Sequence, residues 1–211
     1  MRLDLPSGTV TFLFTDVEGS TQLLHELGVE GFAAALAEHR RIVRDAFALN
    51  GGVEVDTQGD AFFVAFPTAA GALAAGAAAR DALASGPIRV RMGIHTGTPH
   101  LAEEGYVGAD VHRAARIAAA GHGGQVLVSA ATVAVLGTKG LRELGEHRLK
   151  DFAQPVTLYQ LGAERFPPLK TISNTNLPRP ASTFVGRERE VGEVAALLSD
   201  GARLLTLTGP G

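Results

Sequence analysis

Residues 55–66 read VDTQGDAFFVAF. Asp56 and Asp60 stand on either side of a Gln-Gly turn, and the chain then enters an unbroken apolar run to Phe66. Such a run after a glycine turn predicts a buried strand, with a second strand on the other side of Thr57-Gln58-Gly59. A hairpin that served only the core would not need a carboxylate at the mouth of its most apolar strand. The placement of Asp60 is therefore the feature to explain.

Upstream, Thr9 to Phe14 alternates Val10, Phe12 and Phe14 against Thr11 and Leu13, which predicts a strand, and Asp16 keeps the parity of Val10 just past its end. Glu18-Gly19-Ser20-Thr21 predicts a turn. Val29 to Leu49 predicts a long amphipathic helix, with Phe32, Leu36, Val43 and Phe47 on one stripe, His39 between them, and Asn50-Gly51-Gly52 as its stop. Downstream, an Ala-rich helix is expected over 69–84. A half-buried strand follows, with Ile88, Val90, Met92 and Ile94 set against Arg89, Arg91, Gly93 and His95. Further expected elements are a helix over 109–120, a strand over 125–129, a helix over 130–136, and strands over 141–150 and 156–161. This order predicts an α+β fold, a sheet covered by helices, over residues 1–164.

The composition shifts at Phe166. The stretch FPPLKTISNTNLPRPAST carries four of the ten prolines, which predicts a linker over 165–183. Residues 184–211 then predict a helix over 188–198 and a buried strand over 202–208 that runs into Gly209-Pro210-Gly211. With 45% hydrophobic and 19% charged residues, the 211-residue chain has an ordinary globular balance. A net charge of −3 gives no footprint for nucleic acid or an anionic membrane. No cysteine is present, which excludes disulfides and thiolate metal sites. No apolar run reaches the roughly 20 residues of a membrane span, and the expected location is cytoplasmic.

Several residues invite chemistry. Asp16 and Asp60 both lie beside turns at strand ends, and neighbouring strands are about 4.8 Å apart, so paired strands would let both carboxylates reach one hard cation. Asp16 can equally cap the turn that follows, and Asp60 can equally face water in its hairpin. Gly19, Ser20 and Thr21, between a strand and a helical stretch, suit a phosphate, or simply an N-cap. His112 and Arg116 are four apart and share one helical face. Arginine fits developing charge on a phosphoryl group, although a basic face can also be plain solvated surface. Lys150 is usually the kind of residue that faces solvent. His95 and His100 lack metal-ligand spacing and read as structural.

Five blocks, FLFTDVEGST, GDAFFVAF, RMGIHTG, YVGADVHRAARIAAAGHGGQVLVS and HRLKDFAQPVTLYQL, together resemble the catalytic domain of class III adenylate and guanylate cyclases. The likeness covers about residues 7–162. It is greatest to the bacterial branch in which this domain precedes a signalling ATPase and a helix-turn-helix regulator, and NLPRPASTFVGREREV…LLTLTGPG resembles the opening of such an ATPase. The phosphate loop itself would need Gly-Lys-Ser/Thr beyond Gly211. The resemblance implies a ferredoxin-like, palm-type mixed sheet and a head-to-tail homodimer with its sites between two chains. It also implies two Mg2+ or Mn2+ ions held by Asp16, Asp60 and the backbone of Val17. Arg116 matches the arginine that steadies the transition state, and Lys150 falls near a lysine that contacts the triphosphate. The implied reaction takes ATP, or GTP, to 3′,5′-cyclic nucleotide and pyrophosphate in signal transduction.

Three positions depart from the family pattern. Asp56 stands where the base-selecting lysine belongs, Gly105 where its partner aspartate belongs, and His112 where an asparagine belongs. The resemblance therefore implies a weak or promiscuous cyclase. The alternative is a degenerate cyclase fold that binds nucleotide, or only dimerises, to regulate an attached effector.

Overall fold

The computed structural model describes residues 5–103, 105–171, 188–201 and 205–206. Residues 1–174 form one compact unit and 175–211 a second. In the first, the order is β1 (Val10–Val17), α1 (Ser20–Leu49), β2 (Val53–Gln58), β3 (Ala61–Phe66), α2 (Ala69–Leu83), β4 (Val90–Gly97), β5 (His100–Ala102), β6 (Gly105–Val107), α3 (Ala109–Ala120), β7 (Val126–Ser129), α4 (Ala130–Leu136), β8 (Leu141–His147) and β9 (Val156–Leu161). The second unit contains α5 (Glu188–Ser199), where a helix was expected. Most of the linker expected over 165–183 and of the strand expected over 202–208 lies outside the described residues.

Seven strands form one sheet in the order β2-β3-β1-β4-β7-β9-β8, and β5 and β6 pair separately as a short hairpin. β4 and β7 are parallel, and the other neighbours in the large sheet are antiparallel. Period-two alternation divides each strand between two cores. Leu13 and Val17 of β1, Val64 of β3, Met92 and Ile94 of β4 and Val126 of β7 face α1, α2 and α4 in the main core. Val10, Phe12 and Ala65 pack against Ala114 of α3 on the other face, and Leu127 against Ile117 of α3.

The strand expected to be half-buried around Ile88–Ile94 is covered on both faces, because α3 lies directly on it. A Cβ at Gly93 would fall 2.2 Å from the backbone nitrogen of Ala118, so glycine there permits the close approach. The helix expected from Val29 begins instead at Ser20. Gly28, at φ 69° and ψ 173°, breaks it into two helical pieces. Strand β8 ends at His147, short of the expected Lys150, and β5–β6 was not foreseen, being only three residues a side.

Candidate active site

The β1–β3 ladder ends at Thr15↔Phe62, where the amide of Phe62 donates to Thr15 Oγ1 at 3.2 Å. Asp16 and Asp60 sit just beyond that last pair, Asp16 on β1 and Asp60 in the turn that leads into β3. Asp16 is still in β1 and lies opposite Arg91 of β4. Arg91 donates to Asp16 Oδ2 from Nε at 2.9 Å and from Nη2 as well, and reaches the carbonyl of Ala119 with Nη1 at 3.4 Å. Both bonds fall on one oxygen, and no ligation of Asp16 Oδ1 occurs among the described residues. Asp60 lies in the β2–β3 turn, outside the pleat, so neither sheet face dictates where it points. The Arg40 guanidinium of α1 donates to the neighbouring Gly59 carbonyl at 2.7 Å and fixes that turn.

A cleft of about 250 Å3 joins this turn to the first turn of α1. Its lining includes Gly59, Asp60, Ser20 and Thr21, over an apolar floor of Leu24, Phe32 and Leu36. The structure thus brings Asp60 together with two residues of the expected phosphate loop. Gly19 precedes the helix in a left-handed conformation, φ 70°, and neither it nor another side chain caps α1. The N–H groups of the first helical turn have no partner within the helix. The Val17 side chain is buried in the main core, so only its backbone is available.

Glu18 carries a grip of its own. Its amide donates to the Arg89 carbonyl at 3.0 Å, its Oε2 accepts the amide of Gly123 at 2.7 Å, and its Oε1 accepts from Lys170 Nζ. Partial burial opposes the charge on Glu18. The hydrogen bonds from Lys170 and the Gly123 amide outweigh it and hold the carboxyl below its ordinary value.

His112 and Arg116 meet in a separate cleft of about 400 Å3 with Ala109, Asp151 and Phe152. Arg116 donates to Asp151 Oδ2 from Nε at 3.1 Å and from Nη2 at 2.5 Å. Lys150 is exposed beside Asp151, whose φ of 68° is the one positive value at a non-glycine residue among those described. This cleft shares no lining residue with the Asp60 cleft.

Asp56 lies in a third cleft, of about 260 Å3, with Phe14, Gln58, Phe63 and Val111. The rings of Phe14 and Phe63 stack at 4.3 Å. The Asp56 carboxylate accepts from the amide of Thr57 at 2.8 Å and from Gln58 Nε2 at 2.9 Å. Gly105 is buried at φ 134° in β6, a conformation that side-chain-bearing residues rarely adopt, and it lines a different cleft, with Ala102, Tyr106 and Val107.

Sequence reasoning passed over three groups. Arg91 fell on the polar side of its strand as expected, but only the antiparallel register sets it opposite Asp16. Asp151 comes to Arg116 through a turn. Asp110 anchors α3: its Oδ1 meets His95 Nε2 at 3.2 Å, and its Oδ2 accepts the amide of Thr98 at 3.1 Å. His95 Nδ1 in turn meets Ser129 Oγ at 2.8 Å. Burial pushes His95 below its ordinary value, while Asp110 partly counters this. The trio looks like a Ser-His-Asp triad, but Ser129 is buried and caps α4 through the Thr132 amide. It is structural, as expected of His95.

A seven-stranded mixed sheet with carboxylates and a helix start at one strand end, and an arginine-bearing helix across its other face, defines the nucleotide-cyclase type of α+β domain. The chain belongs to the adenylate and guanylate cyclase catalytic domain family, whose model matches residues 5–162. An uncharacterized protein of Mycobacterium tuberculosis is 39% identical over 201 residues, covering 88% of this chain and 70% of that protein. The adenylate cyclase of Podospora anserina is 34% identical over 161 residues, 61% of this chain but only 7% of that much longer protein. Among solved structures, an adenylate cyclase of Trypanosoma brucei in its monomeric state superposes with a TM-score of 0.70 at 26% identity, over 79% of this chain and 96% of that one. The adenylyl cyclase CyaB of P. aeruginosa does so with a TM-score of 0.64 at 26% identity, over 75% and 95%.

Proposed function

We propose that two copies of this chain convert a purine nucleoside triphosphate, ATP foremost, to its 3′,5′-cyclic monophosphate and pyrophosphate, as the output of an intracellular signalling protein. The observation that carries the reading is the cleft in which Asp60 meets Ser20 and Thr21, one strand away from Asp16, in a chain of the cyclase family.

The donor set suits a hard divalent cation. Asp16 Oδ1, the Asp60 carboxylate and the Val17 carbonyl are all oxygens. Among the described residues no group of three His, Cys, Asp or Glu could hold a metal. Two carboxylates with the remaining positions left to phosphate and water is the usual arrangement for Mg2+ in nucleotide enzymes. Bound there, Mg2+ or Mn2+ would lower the pKa of the ribose hydroxyl and neutralise phosphate charge. The chain's own residues do the rest. Asp16 and Asp60 gather negative charge where the cations are needed. The free N–H groups after Gly19 receive phosphate oxygens. Arg91, already held at Asp16, supplies a fixed positive charge at the same end. The 3′ oxygen attacks the α-phosphorus, the bond to the pyrophosphate oxygen breaks in line, and the hydroxyl proton leaves to solvent. Arg116 and His112, from the second copy, meet the charge that spreads over the α-phosphoryl oxygens, and Lys150, exposed beside Asp151, is the candidate for the triphosphate.

The base is held loosely in this reading. Asp56 can accept from an exocyclic amine but cannot donate to a ring nitrogen, and Gly105 contributes no side chain. The same two positions favour the second reading, a cyclase fold that binds nucleotide and dimerises without turnover. Cyclic AMP and cyclic GMP formation with Mn2+ separates the two. The expected result is measurable but poorly selective synthesis that falls at least about 100-fold in Asp16→Asn, Asp60→Asn and Arg116→Ala. A folded wild-type chain that binds Mn2+-ATP and makes neither product establishes the second reading instead.

A further inference from the structure

The family match ends at residue 162, yet the chain stays on the domain for nine residues more. Phe166 stacks its ring on His122, centroids 6.5 Å apart and nearly coplanar in tilt at 6°. His122 Nε2 donates to the Pro168 carbonyl at 3.1 Å. Leu169 is 4% exposed and packs in the second core with Ile117, Leu127, Leu149 and Leu158. The Lys170 amide donates to the Ala120 carbonyl at 2.9 Å, which closes the end of α3. Beyond these anchors, Lys170 Nζ reaches Glu18, between Val17 and Gly19 of the candidate metal and phosphate loop.

We propose that Lys170 is a positioning residue for that loop, so that the segment leaving the catalytic unit sets the geometry of the phosphate-binding end. The inference rests on the cyclase reading for what the loop binds, and on geometry alone for what holds it. Three hydrogen bonds grip Glu18, to the Arg89 carbonyl just ahead of β4, from Gly123 in the α3–β7 connection and from Lys170 of the strap, and His122 Nδ1 lies 3.6 Å from its Oε1. Two of those hydrogen bonds use backbone groups, the Arg89 carbonyl and the Gly123 amide. The third is made by a side chain of the strap, so it alone of the three can be removed by substitution. The 43% and 36% exposed side chains of Lys170 and Glu18 form an ion pair of the kind that adds little to global stability. Its loss should therefore be felt locally, in the loop, rather than in the fold.

The test uses the full chain with Lys170→Ala and Lys170→Arg. Amide hydrogen exchange over residues 17–23 should quicken by about 5-fold in Lys170→Ala, with the thermal midpoint nearly unchanged. Mn2+ binding in the presence of an α,β-methylene ATP analogue, followed by electron paramagnetic resonance, should weaken by a similar factor of about 5. In turnover, KM for Mn2+-ATP should rise more than kcat falls, and Lys170→Arg should restore all three. Unaltered exchange over 17–23, or a uniform quickening across the whole chain, overturns the proposal. If the wild type makes no cyclic nucleotide, the cyclase reading fails, and the exchange measurement still decides the role of Lys170.

Discussion

His39 lies 1% exposed in the main core, edge-on to Phe62 at 5.8 Å, and neither ring nitrogen has a hydrogen-bond partner among the described residues. Burial, and secondarily the charge of Arg40, lowers its pKa from 6.5 to about 4. The unfolded chain therefore binds a proton between pH 6.5 and 4 that the folded chain refuses. Stability is unaffected by this residue above pH 6.5, falls as pH drops through that window, and levels off below pH 4. Between pH 7.5 and 5 the loss should be about 2 kcal/mol. His39→Leu breaks no hydrogen bond, so it should fold and lose about 2 kcal/mol less over the same interval, read from urea midpoints. Equal acid sensitivity in the two proteins would show that His39 is not the group responsible. The helical stripe placed His39 on the inner face, but its lack of a partner depends on which atoms surround it, and these come from β3.

Among the elements, α3 decides whether the candidate site can form, since it carries His112 and Arg116 and lies flat on β4. The contact depends on a backbone-to-backbone approach at Gly93, and Asp110 locks the helix start to His95 and Thr98. Gly93→Ala places a methyl 2.2 Å from the Ala118 nitrogen, and backbone on both sides cannot yield cheaply. It should cost at least about 2 kcal/mol in chemical denaturation and reduce cyclase turnover beyond what the stability loss accounts for. A variant as stable as wild type would mean that α3 can lift off the sheet freely. Sequence periodicity found α3 and its His112–Arg116 face. It read β4 as half-buried, because the alternation of apolar with Arg, Gly and His residues looks solvent-facing until a small-residue helix is laid over it.

For the whole molecule, the decisive point is that the Asp60 cleft and the Arg116 cleft have no residue in common. In the proposed reading, a site using both is completed by a second copy, each contributing one half. In equal mixtures of Asp60→Asn and Arg116→Ala chains, half of the dimers are mixed, and each mixed dimer holds one intact site. The mixture should recover about a quarter of wild-type activity where each variant alone has almost none. A mixture as inactive as its components would place the whole site within one chain. No described helix is long and apolar enough to cross a membrane.

The residues by themselves determined the α+β class, most strands and helices, and the candidates Asp16, Asp60, His112 and Arg116. Period and turn chemistry are local properties, written in neighbouring side chains, and the five family blocks carry their order along the chain. Tertiary structure decided what local pattern cannot encode. Register set Arg91 against Asp16, and the fold of the hairpin turn set Asp60 beside Ser20 and Thr21. The positive φ of Gly105 makes a side chain there costly, a backbone matter that its sequence position does not show. The proline-rich stretch 165–183 reads as a linker by composition, and only its first residues, up to 171, are described. Within that part, Leu169 packs with Ile117 and Leu127 and Lys170 reaches Glu18, because burial and charge pairing act through space, whatever the distance along the chain.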